Sequence, residues 1–180
     1  IGHAFIAWHI TDVYRIWATW IHENGGNVIF IVQPSKKSTS LWTDILRHLG
    51  GIAGEAVLTG EIWPKGARFD LAKAKRACTS LLSQSSSTVA PWSASRRCQV
   101  DMTQLYTEPL TEEERAVLNQ CYDKACEMIR NRRNGIERAA QELARIGSLS
   151  HGDLVRLFGE RPRSKRAKHE RFGLIETENI

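Results

Sequence analysis

Long apolar runs are the first thing this sequence does without. Its longest clean stretch, Val28 to Val32, is strand-sized, far short of the ~20 apolar residues of a membrane-spanning helix. His9 and Thr11-Asp12 interrupt the apolar start, so no secretory leader is expected. Cysteine is also sparse. Cys78, Cys98, Cys121 and Cys126 form no C-x-x-C, and Cys121 and Cys126 would stand about 140° apart around a helix. That excludes a zinc-ribbon spacing and gives no disulfide framework. A reducing compartment, cytoplasmic or equivalent, fits best. No G-x-x-x-x-G-K-[ST] occurs, so no ATPase site is expected in this chain. There is no internal repeat.

Acidic residues are slightly outnumbered, 20 against 25 basic, for a net charge of +5 and a pI of about 9.2. Much of the excess lies between Arg161 and Arg171. Such a run could meet phosphates or acidic head groups, or could be a solvated tail. No recognised nucleic-acid motif accompanies it, so nucleic acid is not an expected partner.

What is present suffices for one domain. The 180 residues are 42% hydrophobic and 25% charged, ordinary values for a folded chain. Ile1 to Ile10 is apolar almost all round and reads as a buried helix. Arg15–Trp20 and Asn27–Val32 read as two strands, with Glu23-Asn24-Gly25-Gly26 as a hairpin turn. Pro34 ends the second strand, and a polar loop follows. Leu41, Ile45, Leu49, Ile52 and Ala56 recur at helical spacing and predict a helix over 40–58. Gly50-Gly51 sits in its middle at about 1 kcal/mol each relative to alanine, so close contact with a neighbouring helix must offset them. A second helix is expected over 68–82, with Asp70 in its first turn. Ser83 to Thr88 is low in complexity and expected to be mobile. The stretch to Pro109 gives no clear signal, although Trp92 is a candidate anchor. Thr111-x-x-Glu114 is a capping box that opens a third long helix. A further helix follows over 135–146, and Ser150 with Asp153 caps a last short one through Phe158. The fold class expected is mainly α, with a small β-hairpin or sheet near the N-terminus.

His3 and Asp70 carry the chemistry. Histidines at i and i+4 on a helix stand one above the other and can share a metal. His3 would be the second histidine of an H-E-x-x-H, with the first histidine and the glutamate lying just ahead of Ile1. A catalytic zinc takes three protein ligands and keeps one position open for water. Zinc lowers that water's pKa from 15.7 to about 7, and the glutamate then accepts its proton. Asp70 is a chemically sound third ligand. Near a helix N-terminus, free N–H groups would favour and orient its carboxylate.

Taken in order, the segments resemble the peptidase domain of the FtsH-type ATP-dependent zinc metalloproteases. Gly2-His3-Ala4-Phe5-Ile6-Ala7 resembles the end of the family's H-E-A-G-H helix. The run Leu49 to Ala56 resembles its L-G-G-R-A-A-E-E. Gly66 to Ala74 resembles its G-A-x-N-D-L-x-x-A, whose Asp is the third zinc ligand, and Gly147 to Leu154 resembles a phrase of its closing helices. The resemblance covers residues 1–160, leaving 161–180 as a basic, flexible tail. Ile52 stands where the family has Arg, Gly54-Glu55 departs from A-E-E, and Ser83 to Thr88 replaces a glycine-rich segment.

The resemblance implies an FtsH-peptidase-like fold and a zinc metalloendopeptidase that cleaves unfolded or tagged polypeptides. His3 and Asp70 would bind zinc. The substrate would pair as an added strand along Asn27, Val28, Ile29, Phe30, Ile31 and Val32, although the same strand would serve equally as sheet core. Hexameric homo-oligomers and an ATPase module outside this chain are further implications, as is membrane attachment through segments outside it. The alternative is an inactive domain of the same fold, serving as scaffold or subunit contact. The tryptophans, among them Trp8, Trp17, Trp20 and Trp42, are expected to fill core.

Overall fold

The structure, a computed structural model, describes residues 1–10, 14–22, 25–32, 38–84 and 88–161. It is mainly helical, with a small antiparallel sheet, as expected. In chain order it runs α1 (Gly2–His9), β1 (Tyr14–His22), β2 (Gly25–Val32), α2 (Ser38–Thr59), α3 (Pro64–Gln84), a 3-10 turn (Thr103–Leu105), α4 (Glu112–Arg130), α5 (Arg133–Ile146), β3 (Ser148–Ser150) and α6 (His151–Phe158).

α2 is the centre of the helical layer and packs against α1, α3 and α4. Its apolar face, Trp42, Ile45, Leu46, Leu49, Ile52 and Ala53, is buried, as the helical spacing requires. α1 lies in the core, with Phe5, Ile6 and Trp8 almost wholly covered. The glycines of α2 face it. A Cβ on Gly50 would stand 2.8 Å from the Ile6 side chain, and one on Gly2 would overlap the Gly50 carbonyl. Close approach of α1 is therefore what offsets the glycines in the middle of α2.

The sheet order is β2-β1-β3, with both pairings antiparallel. β3 is a three-residue strand that the sequence reading missed. The hairpin register pairs His22 with Gly25. Gly25 and Gly26 thus belong to β2 rather than to the turn, while residues 23 and 24 lie outside the described residues. Among the described residues β2 pairs with β1 alone, and β1 packs against α1.

Both capping boxes form. Thr111 and Glu114 close the start of α4, and Ser150 and Asp153 that of α6. The stretch that gave no signal is a strap, residues 88–110, laid along α4. Trp92 anchors it edge-on against Trp42, with ring centroids 5.9 Å apart. Arg161, assigned to the tail on sequence, belongs to the body. Its guanidinium donates to the carbonyls of Ala7, Trp8 and Ile10, satisfying the C-terminal end of α1. Trp8 Nε1 in turn donates to the Gly159 carbonyl at 3.1 Å. Trp8 and Trp42 are core residues. The expectations for Ser85–Ser87, for the loop at Pro34 and for 162–180 lie outside the described residues, as do the side chains of Trp17 and Trp20.

Candidate functional site

α1, α2 and α3 bring their polar side chains together at one place. His3 comes from α1, Arg47 and His48 from α2, and Asp70 from α3. His3 Nε2 stands 3.0 Å from Asp70 Oδ2, across 67 positions of sequence. The two side chains are 29% and 25% exposed, so the pair is largely shielded yet open on one side.

The other face of the His3 ring fixes its protonation pattern. Nδ1 lies 2.9 Å from the carbonyl oxygen of Arg47. A carbonyl only accepts, so Nδ1 carries the proton. In a neutral ring Nε2 then presents a lone pair, and it presents it to a carboxylate oxygen. Two acceptors at 3.0 Å need a cation between them. A second proton, making His3 an imidazolium, satisfies this, and so does a metal ion. A histidine held through Nδ1 to a backbone carbonyl, with Nε2 free, is the usual arrangement of a metal-binding imidazole.

The spacing suits a metal as well. Two ligands at ~2.0–2.1 Å from zinc with a tetrahedral angle between them lie about 3.3 Å apart, close to the 3.0 Å found. Among the described residues no three His, Cys, Asp or Glu side chains converge as a metal-holding group. His3 and Asp70 supply two donors.

His48 serves the site differently. Its Nε2 accepts from the Arg47 guanidinium at 2.8 Å. The proton is therefore on Nδ1, which faces Asp70 Oδ1 at 3.9 Å. Burial pushes the His48 pKa down; Asp70 opposes this and Arg47 reinforces it, so the ring is neutral near pH 7. Asp70 is pulled in the opposite sense. Burial alone would raise its pKa, but the hydrogen bond with His3, helped by the nearby His48 ring, outweighs it and holds the carboxyl well below the usual range. A permanently ionised carboxylate, one oxygen towards His3 and the other steadied by His48, is what a cation site requires.

The expected reason for Asp70's position needs correction. α3 begins at Pro64, a residue well suited to the first helical position because its missing N–H is not needed there. Asp70 therefore sits in the second turn, not the first. The helix end does not orient it; the two histidines do.

Gly51 completes the site. A Cβ there would overlap the His3 imidazole at Nε2. The ring lies directly over the α2 backbone, and glycine is what leaves room for it.

The sequence reading found His3 and Asp70, and the structure brings them together. It missed His48 and Arg47. A signal was available: His48 is three residues before Gly51 and so shares the helix face that carries the glycine contact. The strand proposed for substrate, Asn27–Val32, lies at a sheet edge, one strand removed from α1. No protein-family model matches the chain, and no curated protein matches it either.

Proposed function

We propose that this chain is a zinc-dependent endopeptidase domain of the FtsH type. The observation that carries the reading is the His3–Asp70 pair: an imidazole held through Nδ1 to the Arg47 carbonyl and an ionised carboxylate meeting at 3.0 Å. His3 and Asp70 would hold the ion, His48 would steady the carboxylate, and Gly51 would admit the ring. A zinc ion held there would supply a Lewis acid and a water acidic enough to be deprotonated near neutral pH. The glutamate that accepts its proton is expected immediately before Ile1.

Polypeptide substrates, unfolded or tagged, would pair their backbone with the free side of β2. Main-chain pairing of that kind binds extended chains with little sequence preference. A hexameric assembly and a partner ATPase module belong to the same proposal.

The test uses a chain that carries the residues ahead of Ile1. It is expected to bind about one zinc ion per chain and to cleave casein in a chelator-sensitive way. Asp70→Asn should lose both. Retention of metal and activity by that variant would remove Asp70 from the ligand set. Residues 1–180 alone, without the preceding His and Glu, are expected to show no chelator-sensitive proteolysis.

A second reading is a non-catalytic relative in which a proton, not a metal, closes the pair. It is favoured by the fact that an imidazolium at His3 satisfies both the Arg47 carbonyl and Asp70. The identity of the two residues before Ile1 separates the readings, since His-Glu is required by the enzyme alone.

A further inference from the structure

A second reactive cluster lies away from His3 and Asp70, where the strap meets α4. Cys98 and Cys126 are 28 positions apart, yet their sulfurs stand 2.7 Å from each other. Both are thiols. A disulfide bond would bring them to about 2.05 Å, so forming it calls for little movement.

The strap is already held in register for that bond. α4 presents one polar side chain after another along the face beneath it, and each takes a backbone group of the strap. The Gln120 amide donates to the Thr88 carbonyl at 2.7 Å and accepts from the Ala90 N–H at 2.9 Å. Lys124 donates to the Ser93 carbonyl, Glu127 accepts from Ser95, and Arg130 donates to the Arg97 carbonyl at 3.1 Å. Asp123 accepts the N–H of Cys98 itself at 2.7 Å. The two cysteines are therefore presented to each other by a fixed scaffold.

They are not equivalent. Cys126 is fully buried, whereas Cys98 is half-buried and lines a cavity of about 430 Å³. Arg96, Arg97, Arg130 and Arg133 line the same cavity, together with the C-terminal end of α2. Arg96 and Arg97 are exposed. The half-buried thiol thus shares its cavity with four arginines, a lining that suits an anionic reagent.

We propose that Cys98 and Cys126 form a redox-active dithiol, closed to an intramolecular disulfide by exchange with an anionic low-molecular-weight disulfide of the glutathione class seated in the arginine-lined cavity.

The chemistry balances as thiol–disulfide exchange. The Cys98 thiolate attacks one sulfur of the small disulfide. The S–S bond breaks, one small thiolate leaves with the electron pair and takes up a proton, and Cys98 carries a mixed disulfide. Cys126 gives up its proton and attacks Cys98 Sγ, expelling the second small thiol. Two protein thiols are oxidised, and one small disulfide is reduced to two thiols.

The electrostatics favour Cys98 as the attacker. The hydrogen bond from Cys126 brings its pKa down to about 5, against the opposing effect of burial, with help from Tyr122, the Val100 N–H and Arg130. The buried Tyr122 hydroxyl lies beside both thiols. Cys126 is raised, first by its hydrogen bond to Cys98 and then by burial, so it keeps its proton until the mixed disulfide forms. Cys78 and Cys121 are buried thiols with raised pKa values and serve as internal controls.

The test equilibrates the native chain with glutathione over a range from fully reduced to fully oxidised, followed by acid quench, alkylation and peptide mass mapping. The expected product has lost two hydrogen atoms, with Cys98 joined to Cys126 and with Cys78 and Cys121 still reduced. Cys126→Ser should trap glutathione on Cys98, and Cys98→Ser should yield neither product. Arg96→Ala with Arg97→Ala should slow the reaction with oxidised glutathione by about tenfold, while leaving unchanged the rate with uncharged bis(2-hydroxyethyl) disulfide. Helical circular dichroism checks that each variant is folded, and the wild-type reaction needs no variant. Absence of the 98–126 link in folded protein at every ratio would overturn the dithiol, as would equal labelling of Cys78 or Cys121. Equal slowing with both disulfides, or slowing with neither, would overturn the anionic seat.

Discussion

Gly51→Ala separates the close-packed site from a generic helix. In an ordinary helix interior, replacing glycine by alanine stabilises by about 0.5–1 kcal/mol. At position 51 the added methyl would occupy the space of the His3 imidazole. The ring is the mobile partner, so it must swing away, losing the Arg47 carbonyl and Asp70 together. Crowding in a packed interior costs about 1–3 kcal/mol, and a lost hydrogen bond to a charged group about 1.5–3 kcal/mol. Set against the propensity gain, the net destabilisation is about 1.5–5.5 kcal/mol. Gly135→Ala in α5 is the control. Its nearest neighbour to an added Cβ is the Leu157 carbonyl oxygen at 3.6 Å, an ordinary contact, so that variant should gain about 0.5–1 kcal/mol. Urea unfolding followed by circular dichroism measures both. The expected signs are opposite. If Gly51→Ala is as stabilising as Gly135→Ala, His3 does not lie over α2, and the geometry of the site is wrong.

The Asp70 variants test whether the carboxylate is there for its charge. In Asp70→Asn the new amide could donate an N–H to the Nε2 lone pair of a neutral His3, so that variant should cost under ~1.5 kcal/mol, whereas Asp70→Ala orphans both histidines and should cost about 1.5–3 kcal/mol; equal losses in urea midpoints would refute that pattern. Stability should fall with acid in two stages. His9 and His48 are held below the ordinary histidine value by burial, so their contribution is complete above pH ~6.5 and is lost below it. Asp70 is held below the ordinary carboxyl value, so its contribution is complete above pH ~3.9 and is lost as pH falls through its folded-state value; Asp101, Glu127 and Asp153 are held low as well, so a pH series of thermal melts should show the lower stage reduced, not abolished, in Asp70→Asn, and an unchanged acid limb would count against the assignment. Arg161→Gln should release three carbonyls at the end of α1 at a cost of about 1–3 kcal/mol, read as faster amide exchange in α1; unchanged exchange there would show that Arg161 does not hold that helix.

Where the determinants are local, the sequence was readable. α2, α4 and α6 are set by apolar spacing and by capping side chains three residues apart, and all three lie close to where those signals put them. Elements set by a partner were not. Ser148–Ser150 has no periodicity of its own and becomes a strand because β1 offers it hydrogen bonds. α3 starts on Pro64, four residues before the expected 68–82, which shifts Asp70 by a turn and replaces the helix end by two imidazoles as its support. Cys98 and Cys126 meet only because a strap without secondary structure is pinned along α4, and nothing in a spacing of 28 residues encodes that. The His3–Asp70 contact lies between these cases. Neither residue is informative alone, and 67 positions separate them. What links them is the glycine pair in the middle of α2, whose cost to the helix demands a close neighbour. Once α1 is that neighbour, His3 has to cross the α2 backbone at Gly51, and the helix packed on the far side of that crossing is the one that carries Asp70. In the sequence the pairing rests on the metal-ligand pattern at His3 and Asp70 and on the family resemblance; the glycines require a close helix without saying which one, and it is the structure that shows it to be α1.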